Sequence, residues 1–310
     1  MTLISRPDRP FFRSATKLAI KLFFGRQWSH AQDWLPGLEI ERVTDCSEGA
    51  VVYKNDRIVS LYRASVLKAA AGPIIHIVGS GPSLMRNDMG RMGRGTGILL
   101  NGAISLIGSP VAEPLGLAIE DERFVWRHFD LMRQKIRPGM ICLFSVAVIR
   151  AICERDREWL RDKTIILIDN IRKPYRVARR TIPQVRELGI PIAKSEGEAA
   201  ISLDPDAGVF QGGSVAISAL QFALYCAPER IGMFGIDISN ANQPRFYETK
   251  NDIAYSGIAR AEARILSFFS LVKEVAAERN IELLNFSSVS ALLKCGFPYD
   301  DRFASLNSEG

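Results

Sequence analysis

Five short stretches of the 310-residue chain carry side chains suited to chemistry. Gly79-Ser80-Gly81-Pro82-Ser83-Leu84 follows the apolar run from Ile74 to Val78. A strand, a tight glycine turn and a helix start in that order aim backbone N–H groups at an anion. Leu84 stands where a dinucleotide fingerprint has its third glycine, and no Gly-Lys-Ser/Thr of a phosphate loop follows. The turn suits a single phosphate or the ribose of a mononucleotide; the alternative is a turn that needs glycine for backbone reasons alone. Asn101, after the run GILL, offers both a donor and an acceptor to a base or ribose edge, or is a turn residue. Glu120-Asp121-Glu122 crowds three acids at another strand end. Asp121 is the candidate general base or ribose ligand there, since neighbouring carboxylates raise a pKa. The alternative is a solvated first helical turn whose acids favour the helix dipole.

Two later stretches repeat the logic. Gly212-Gly213-Ser214 precedes a strongly apolar helix, so Gly213 lets the backbone approach a ligand while Ser214 caps the helix and its N-terminus attracts an anion. Gly235 and Asp237 end a further strand, and a polar loop over about 239–256, read as a lid, brings Arg245 and Tyr247. A guanidinium fork and a phenol are suitable partners for a phosphate leaving group. Asp204-Pro205-Asp206 has the spacing to hold Mg²⁺ or Mn²⁺, and is also a common loop sequence. The three histidines and five cysteines form no ligand or C-x-x-C spacing, so neither a zinc site nor a disulfide framework is expected.

These stretches must be positioned by regular elements. From Pro73 onward, short apolar runs (IIHIVG, GILLN, LGLAIE, MICLF, TIILID, IPIAK, RIGMFGID, IELLNF) alternate with segments of helical spacing over 124–136, 145–161, 175–188, 213–226 and 257–280. That alternation predicts an α/β fold: a single Rossmann-like, mostly parallel sheet over 73–310 with helices on both faces. Ligands in such sheets bind at the carboxyl ends of the strands. Residues 31–72 read as an irregular lead-in or a small hairpin around Asn55-Asp56. Of the net charge of +6, residues 1–30 hold six basic residues against Asp8, a net of +5. A nucleic-acid binder spreads its basic patch over the folded body, so no nucleic-acid partner is expected. Phe11, Phe12, Ala15, Leu18, Ala19, Leu22 and Phe23 form an apolar stripe beside Arg13, Lys17 and Lys21, the pattern of an amphipathic helix suited to an anionic membrane surface. A helix packed on the body with its lysines in water is the alternative. No apolar run is long enough to span a membrane.

The run Ile77–Leu84 with Asn101 resembles the start of the small bacterial sialyltransferases that use CMP-sialic acid, and other proteins with a Gly-x-Gly-Pro-Ser-Leu turn. Gly212–Ala216, Gly235–Ile238, Arg245–Glu248, Asp121–Phe124 and Leu284–Ser287 resemble the lipopolysaccharide core Kdo transferase family (RfaZ/WaaZ type), over roughly residues 74–297. The resemblance implies a GT-A-like variant of the sialyltransferase fold and an inverting transfer of an acidic sugar, Kdo or sialic acid, from a CMP-sugar donor to the lipopolysaccharide inner core. It implies no cofactor and no metal. Gly79, Gly81, Ser83 and Asn101 would hold the cytidine and ribose, with Gly235 and Asp237 beside the nucleotide. Gly213 and Ser214 would meet the donor carboxylate or phosphate, and Arg245 and Tyr247 would stabilise the departing phosphate. The sialyltransferases place a histidine base in the lid, whereas this chain has no histidine after His128; Asp121 is the candidate that remains. The lipid-anchored saccharide acceptor implies a peripheral position on the cytoplasmic face of the inner membrane. Two readings of other classes are a pterin diphosphokinase-like phosphotransferase using ATP and Mg²⁺, and a non-enzymatic membrane-associated assembly factor.

Overall fold

A computed structural model describes residues 10–44, 47–196, 199–238, 245–246 and 258–305. The chain opens with helix α1 (Phe11–Phe23), a 3₁₀ stretch over Arg26–Asp33, and strands β1 (Leu38–Glu41), β2 (Gly49–Tyr53) and β3 (Asp56–Tyr62). Helix α2 (Ala64–Ala70) leads to β4 (Ile74–Val78), β5 (Gly97–Leu100), β6 (Gly116–Ile119), α3 (Glu122–Lys135), β7 (Ile141–Ser145), α4 (Val146–Asp156) and β8 (Thr164–Ile168). Then come α5 (Ile182–Glu187), β9 (Ile192–Glu196), β10 (Ala199–Ser202), α6 (Val215–Cys226), β11 (Arg230–Phe234), α7 (Ile258–Glu278) and β12 (Glu282–Asn285).

Ten strands form one sheet in the order β1-β2-β3-β8-β7-β6-β5-β4-β11-β12. Every neighbouring pair from β3 to β12 is parallel. The mostly parallel sheet read from the sequence is therefore present, with helices on both faces. Alternation along each strand divides the core. Ile75, Ile77, Ile98, Leu100 and Ala118 pack with α6 and α7, while Val78, Leu99, Leu117, Ile119 and Phe144 pack with α3 and α4.

Three local expectations are corrected. The hairpin over 31–72 forms, with Lys54 and Asn55 both at positive φ (51° and 65°) as a tight twisted turn requires, but it is not separate from the sheet. β3 pairs with β8 through Leu61↔Ile165 and Tyr62↔Ile166, which makes it part of the same layer. The run IPIAK becomes β9, which pairs antiparallel with β10 in a two-stranded sheet of its own. The helix expected over 175–188 is confined to α5, opened by a capping box between Thr181 and Gln184. Periodicity reports what a segment buries and not which strand it will pair with.

The strand order places the chain reversal at β4: β5 to β8 lie on one side of it, β11 and β12 on the other. The crevice between the carboxyl ends of β4 and β11 is thus the topological switch point. On the same end of the sheet, α1 docks through Arg13 and Ile20, both buried, and turns Phe11 (86% exposed), Leu22 (72%) and Phe23 (82%) outward. Among the described residues, no helix is long and apolar enough to cross a membrane.

Candidate active site

The glycine turn after β4 is pressed against the turn after β11. Gly79 N donates to Phe234 O (2.8 Å) and Gly81 N to Gly235 O (2.9 Å). A Cβ on Gly79 would lie 2.4 Å from Gly235 O, and one on Gly81 would lie 2.6 Å from Asp237 Oδ2, so both positions require glycine for close approach. Gly235 itself is left-handed, at φ +58°. Asp237 completes the junction. Its carboxylate accepts from Ser83 N (2.7 Å), Ser83 Oγ (2.6 Å) and Ser287 Oγ (3.0 Å). The anion held at this turn is therefore the protein's own Asp237. Ser83, 3% exposed, directs its hydroxyl at that carboxylate, and the helix expected to start there is a short 3₁₀ turn over Pro82–Arg86. The surface left for a ligand is the backbone of Gly79–Gly81. Across it lies Phe246, whose N–H donates to Ser80 O (3.4 Å), so half-buried Arg245 and Phe246 return over the turn. Tyr247 and most of the loop over 239–256 lie outside the described residues.

Asn101 begins the 3₁₀ turn that follows β5, in the left-handed region at φ +45°. Its Oδ1 is buried with no hydrogen-bond partner among the described residues. A non-glycine residue at positive φ with an orphaned buried acceptor is a costly arrangement that a bound donor group would relieve.

The next strand end differs from expectation. Asp121 caps α3: its Oδ1 accepts from Arg123 N (2.9 Å), and its Oδ2 is paired with the Arg123 guanidinium. The more unusual carboxylate is Glu120. Strand alternation turns it to the same side as Ala118, towards α6, where Ser218 Oγ donates to its Oε1 (2.6 Å) and Gln211 donates as well. Burial pushes its pKa up to about 7, against those two hydrogen bonds; the Asp121 charge adds to the rise. From the sequence alone, Asp121 is the candidate in the acidic triplet. The period of two that puts Glu120 in line with Ala118 was the signal available to separate them.

Because α6 runs back towards the start of parallel β11, its N-terminus lies at the carboxyl end of the sheet. Ser214 caps it, accepting from Ala216 N (3.3 Å), and Gly213 is at φ +98°. Arg264 Nε donates to Gly212 O (3.1 Å), and a Cβ on Gly213 would lie 2.5 Å from an Arg264 guanidinium nitrogen. This exposed cation, from α7, was not singled out in the sequence because its position on a long helix is uninformative. Gly79, Gly81, Ser83, Asn101, Asp121, Gly213, Ser214, Gly235 and Asp237 thus all lie at one end of one sheet. The pair Asp204 and Asp206 has structural work: Asp206 Oδ1 accepts from Ala64 N at the start of α2 (2.8 Å), and Asp204 Oδ1 accepts from Asp206 N (3.2 Å). Among the described residues, no three His, Cys, Asp or Glu side chains converge as metal ligands.

A family model described as 3-deoxy-D-manno-octulosonic acid transferase WaaZ matches residues 63–300. The chain belongs to this family of Kdo transferases. It is a glycosyltransferase of lipopolysaccharide core synthesis, and the match covers every strand from β4 to β12 together with all of the site residues above. A probable 3-deoxy-manno-octulosonic acid transferase of Salmonella typhimurium is 20% identical over 229 residues, 71% of this chain and 84% of that one. Among solved structures, the sialyltransferase CstII of Campylobacter jejuni in complex with the substrate analogue CMP-3FNeuAc covers 75% of this chain and 88% of its own (10% identity, TM-score 0.38). The same enzyme with cytidine-5'-monophosphate covers 76% and 87% (10% identity, TM-score 0.42). That likeness is too loose to carry residue roles from one chain to the other.

Proposed function

We propose that the protein transfers Kdo, with inversion, from a CMP-Kdo donor to the lipopolysaccharide inner core, and that the donor nucleotide lies in the crevice at the switch point. The observation that carries this reading is Asn101: a buried acceptor with no partner among the described residues, on strained backbone, one strand away from a glycine turn whose backbone faces the crevice. A cytosine amino group or a ribose hydroxyl supplies the missing donor. The N-terminus of α6 and Arg264 provide positive potential for the donor's carboxylate or phosphate. Arg245, held over the turn, and Tyr247 are placed by sequence to stabilise the departing CMP. Stabilisation by N–H groups, hydroxyls and guanidinium needs no metal ion, and metal independence is part of the proposal.

The acceptor is a lipid-linked saccharide, and the protein binds peripherally at the cytoplasmic face of the inner membrane. Supporting this is α1, whose apolar stripe faces solvent with Lys21 at its edge, an arrangement suited to an anionic lipid surface.

Calorimetric titration with CMP tests the nucleotide site. The wild-type chain binds CMP without added metal. Asn101→Gly, which accepts φ +45° without strain, keeps its stability and loses roughly five- to tenfold in CMP affinity, the worth of one net hydrogen bond. Absence of CMP binding by the wild-type chain, or binding of ATP with Mg²⁺ in its place, overturns the reading.

A further inference from the structure

Beside the crevice, at the carboxyl ends of β6, β7 and β8, lies a second concavity of about 180 Å³. Its floor holds Glu120, Ser145 and Asn170, and its roof is the N-terminal segment, with Lys17 of α1, Asp33 and Trp34. Sites that enclose a drug-sized ligand run to roughly 300–1,000 Å³, so this one fits a single sugar unit and not a nucleotide sugar. Its charge is unbalanced at one point. Lys17 and Lys173 both line it; burial and Arg179 depress the Lys173 pKa, with Asp33 opposing the fall and Lys17 adding to it, and among the described residues neither ammonium has an ion-pair partner. Of the acids on its wall, Asp169 pairs with Arg42, Glu120 accepts from Ser218 and Gln211, and Asp33 lies 4.0 Å from Arg13 and also acts on Lys173. Two ammonium groups with no ion-pair partner among the described residues, beside a small polar cavity, suit an anion on what enters it.

The register places this cavity against the crevice. Leu100 pairs with Ala118, so Asn101 is level with Ile119 and Glu120 emerges from the adjacent strand one residue further on. Glu120 stands between the orphaned acceptor of Asn101 and the two lysines.

Resting on the Kdo transfer proposed above, we infer that the cavity beneath α1 is the acceptor subsite: an anionic sugar unit is held by Lys17 and Lys173 with its reacting hydroxyl turned to Glu120. The acceptor oxygen then attacks the anomeric carbon of the donor and forms the new glycosidic C–O bond. The bond from that carbon to the phosphate oxygen breaks, and its electron pair leaves with CMP. The hydroxyl proton passes to Glu120, whose hydrogen bonds from Ser218 and Gln211 hold the carboxylate in place. Asp121, engaged with Arg123, takes no proton in this scheme.

Steady-state kinetics with CMP-Kdo and a deacylated inner-core oligosaccharide, alongside CMP titration, test the assignment. Lys17→Gln combined with Lys173→Gln raises the acceptor KM tenfold or more and leaves CMP affinity unchanged. Glu120→Gln lowers kcat by about 10²-fold or more, with CMP affinity and acceptor KM near wild type. An unchanged acceptor KM in the double lysine variant, or a retained kcat in Glu120→Gln, overturns the subsite. Failure of the wild-type chain to bind CMP overturns the donor reading instead, so the two failures are distinct.

Discussion

Glu120, half-buried, and Asp237, buried, are both carboxylates at strand ends, and their partners give them opposite roles. Asp237 accepts three hydrogen bonds and fixes the junction between the β4 and β11 turns. Asp237→Asn puts an amide donor against the donors of Ser83. It is expected to lower stability by about 1–3 kcal/mol in urea unfolding and to weaken CMP binding through the turn it loosens. Glu120 has a carboxyl pushed up to about 7 by its surroundings, with Ser218 and Gln211 opposing the rise and Asp121 adding to it. The folded chain therefore holds this proton more tightly than the unfolded chain does. Its contribution to stability is complete below the unfolded value near 4.5 and is lost as pH climbs to about 7. Urea unfolding checks this: the stability of wild type relative to Glu120→Gln should fall by on the order of 2 kcal/mol between pH 4.5 and 7.5. Transfer activity should rise over the upper part of that window, since only the ionised carboxylate takes a proton. A site kept at a cost to stability is what a functional carboxylate predicts, and equal stability curves would count against it.

At the scale of elements, the N-terminal helix is the part whose placement decides most. Arg13 reaches Glu122, 109 residues away, with its Nε 2.9 Å from Oε2, and both side chains are 1% exposed. Replacing Arg13 with Met takes the guanidinium away from the buried Glu122 carboxylate, a loss of about 3–5 kcal/mol. Limited proteolysis should then cut near Gly25 as α1 undocks, and Arg13→Met/Glu122→Gln should recover part of the stability because no charge is stranded. The sequence made this helix legible as amphipathic, with Arg13, Lys17 and Lys21 in one row, but it concealed that the first of the row is a buried anchor. Patterning identifies a helix and its apolar face; a pairing across 109 residues has no local signature. The same holds for Ser83 and Asp237, which were each picked out at a strand end although their bond to one another spans 154 residues. The βα alternation and the glycine turns were readable because strand ends in a parallel sheet carry recurrent local chemistry. The β9–β10 hairpin was not, since a short apolar run does not name its partner strand.

For the whole molecule, one helix serves two surfaces at once. The inner side of α1 roofs the cavity with Lys17, while its outer side presents Phe11, Leu22 and Phe23 to solvent beyond the body of the protein. The crevice proposed for the donor, built on β4, β5 and β11, uses neither side. Membrane attachment, acceptor binding and nucleotide binding should therefore separate experimentally. Phe11→Ser/Leu22→Ser/Phe23→Ser removes apolar area that faces solvent, at little cost to folding, and each buried side chain of this kind is worth about 1.5–3 kcal/mol in an apolar medium. The triple variant should lose flotation with anionic liposomes and lose activity by tenfold or more on acceptor embedded in vesicles. On the deacylated oligosaccharide it should match wild type, since the roof of the cavity is intact. Lys17→Gln should show the reverse, floating with liposomes yet raising KM for both forms of the acceptor. If the triple variant were equally impaired on the soluble oligosaccharide, the two sides of α1 would not be independent, and the outward stripe would belong to catalysis or folding instead of to the membrane.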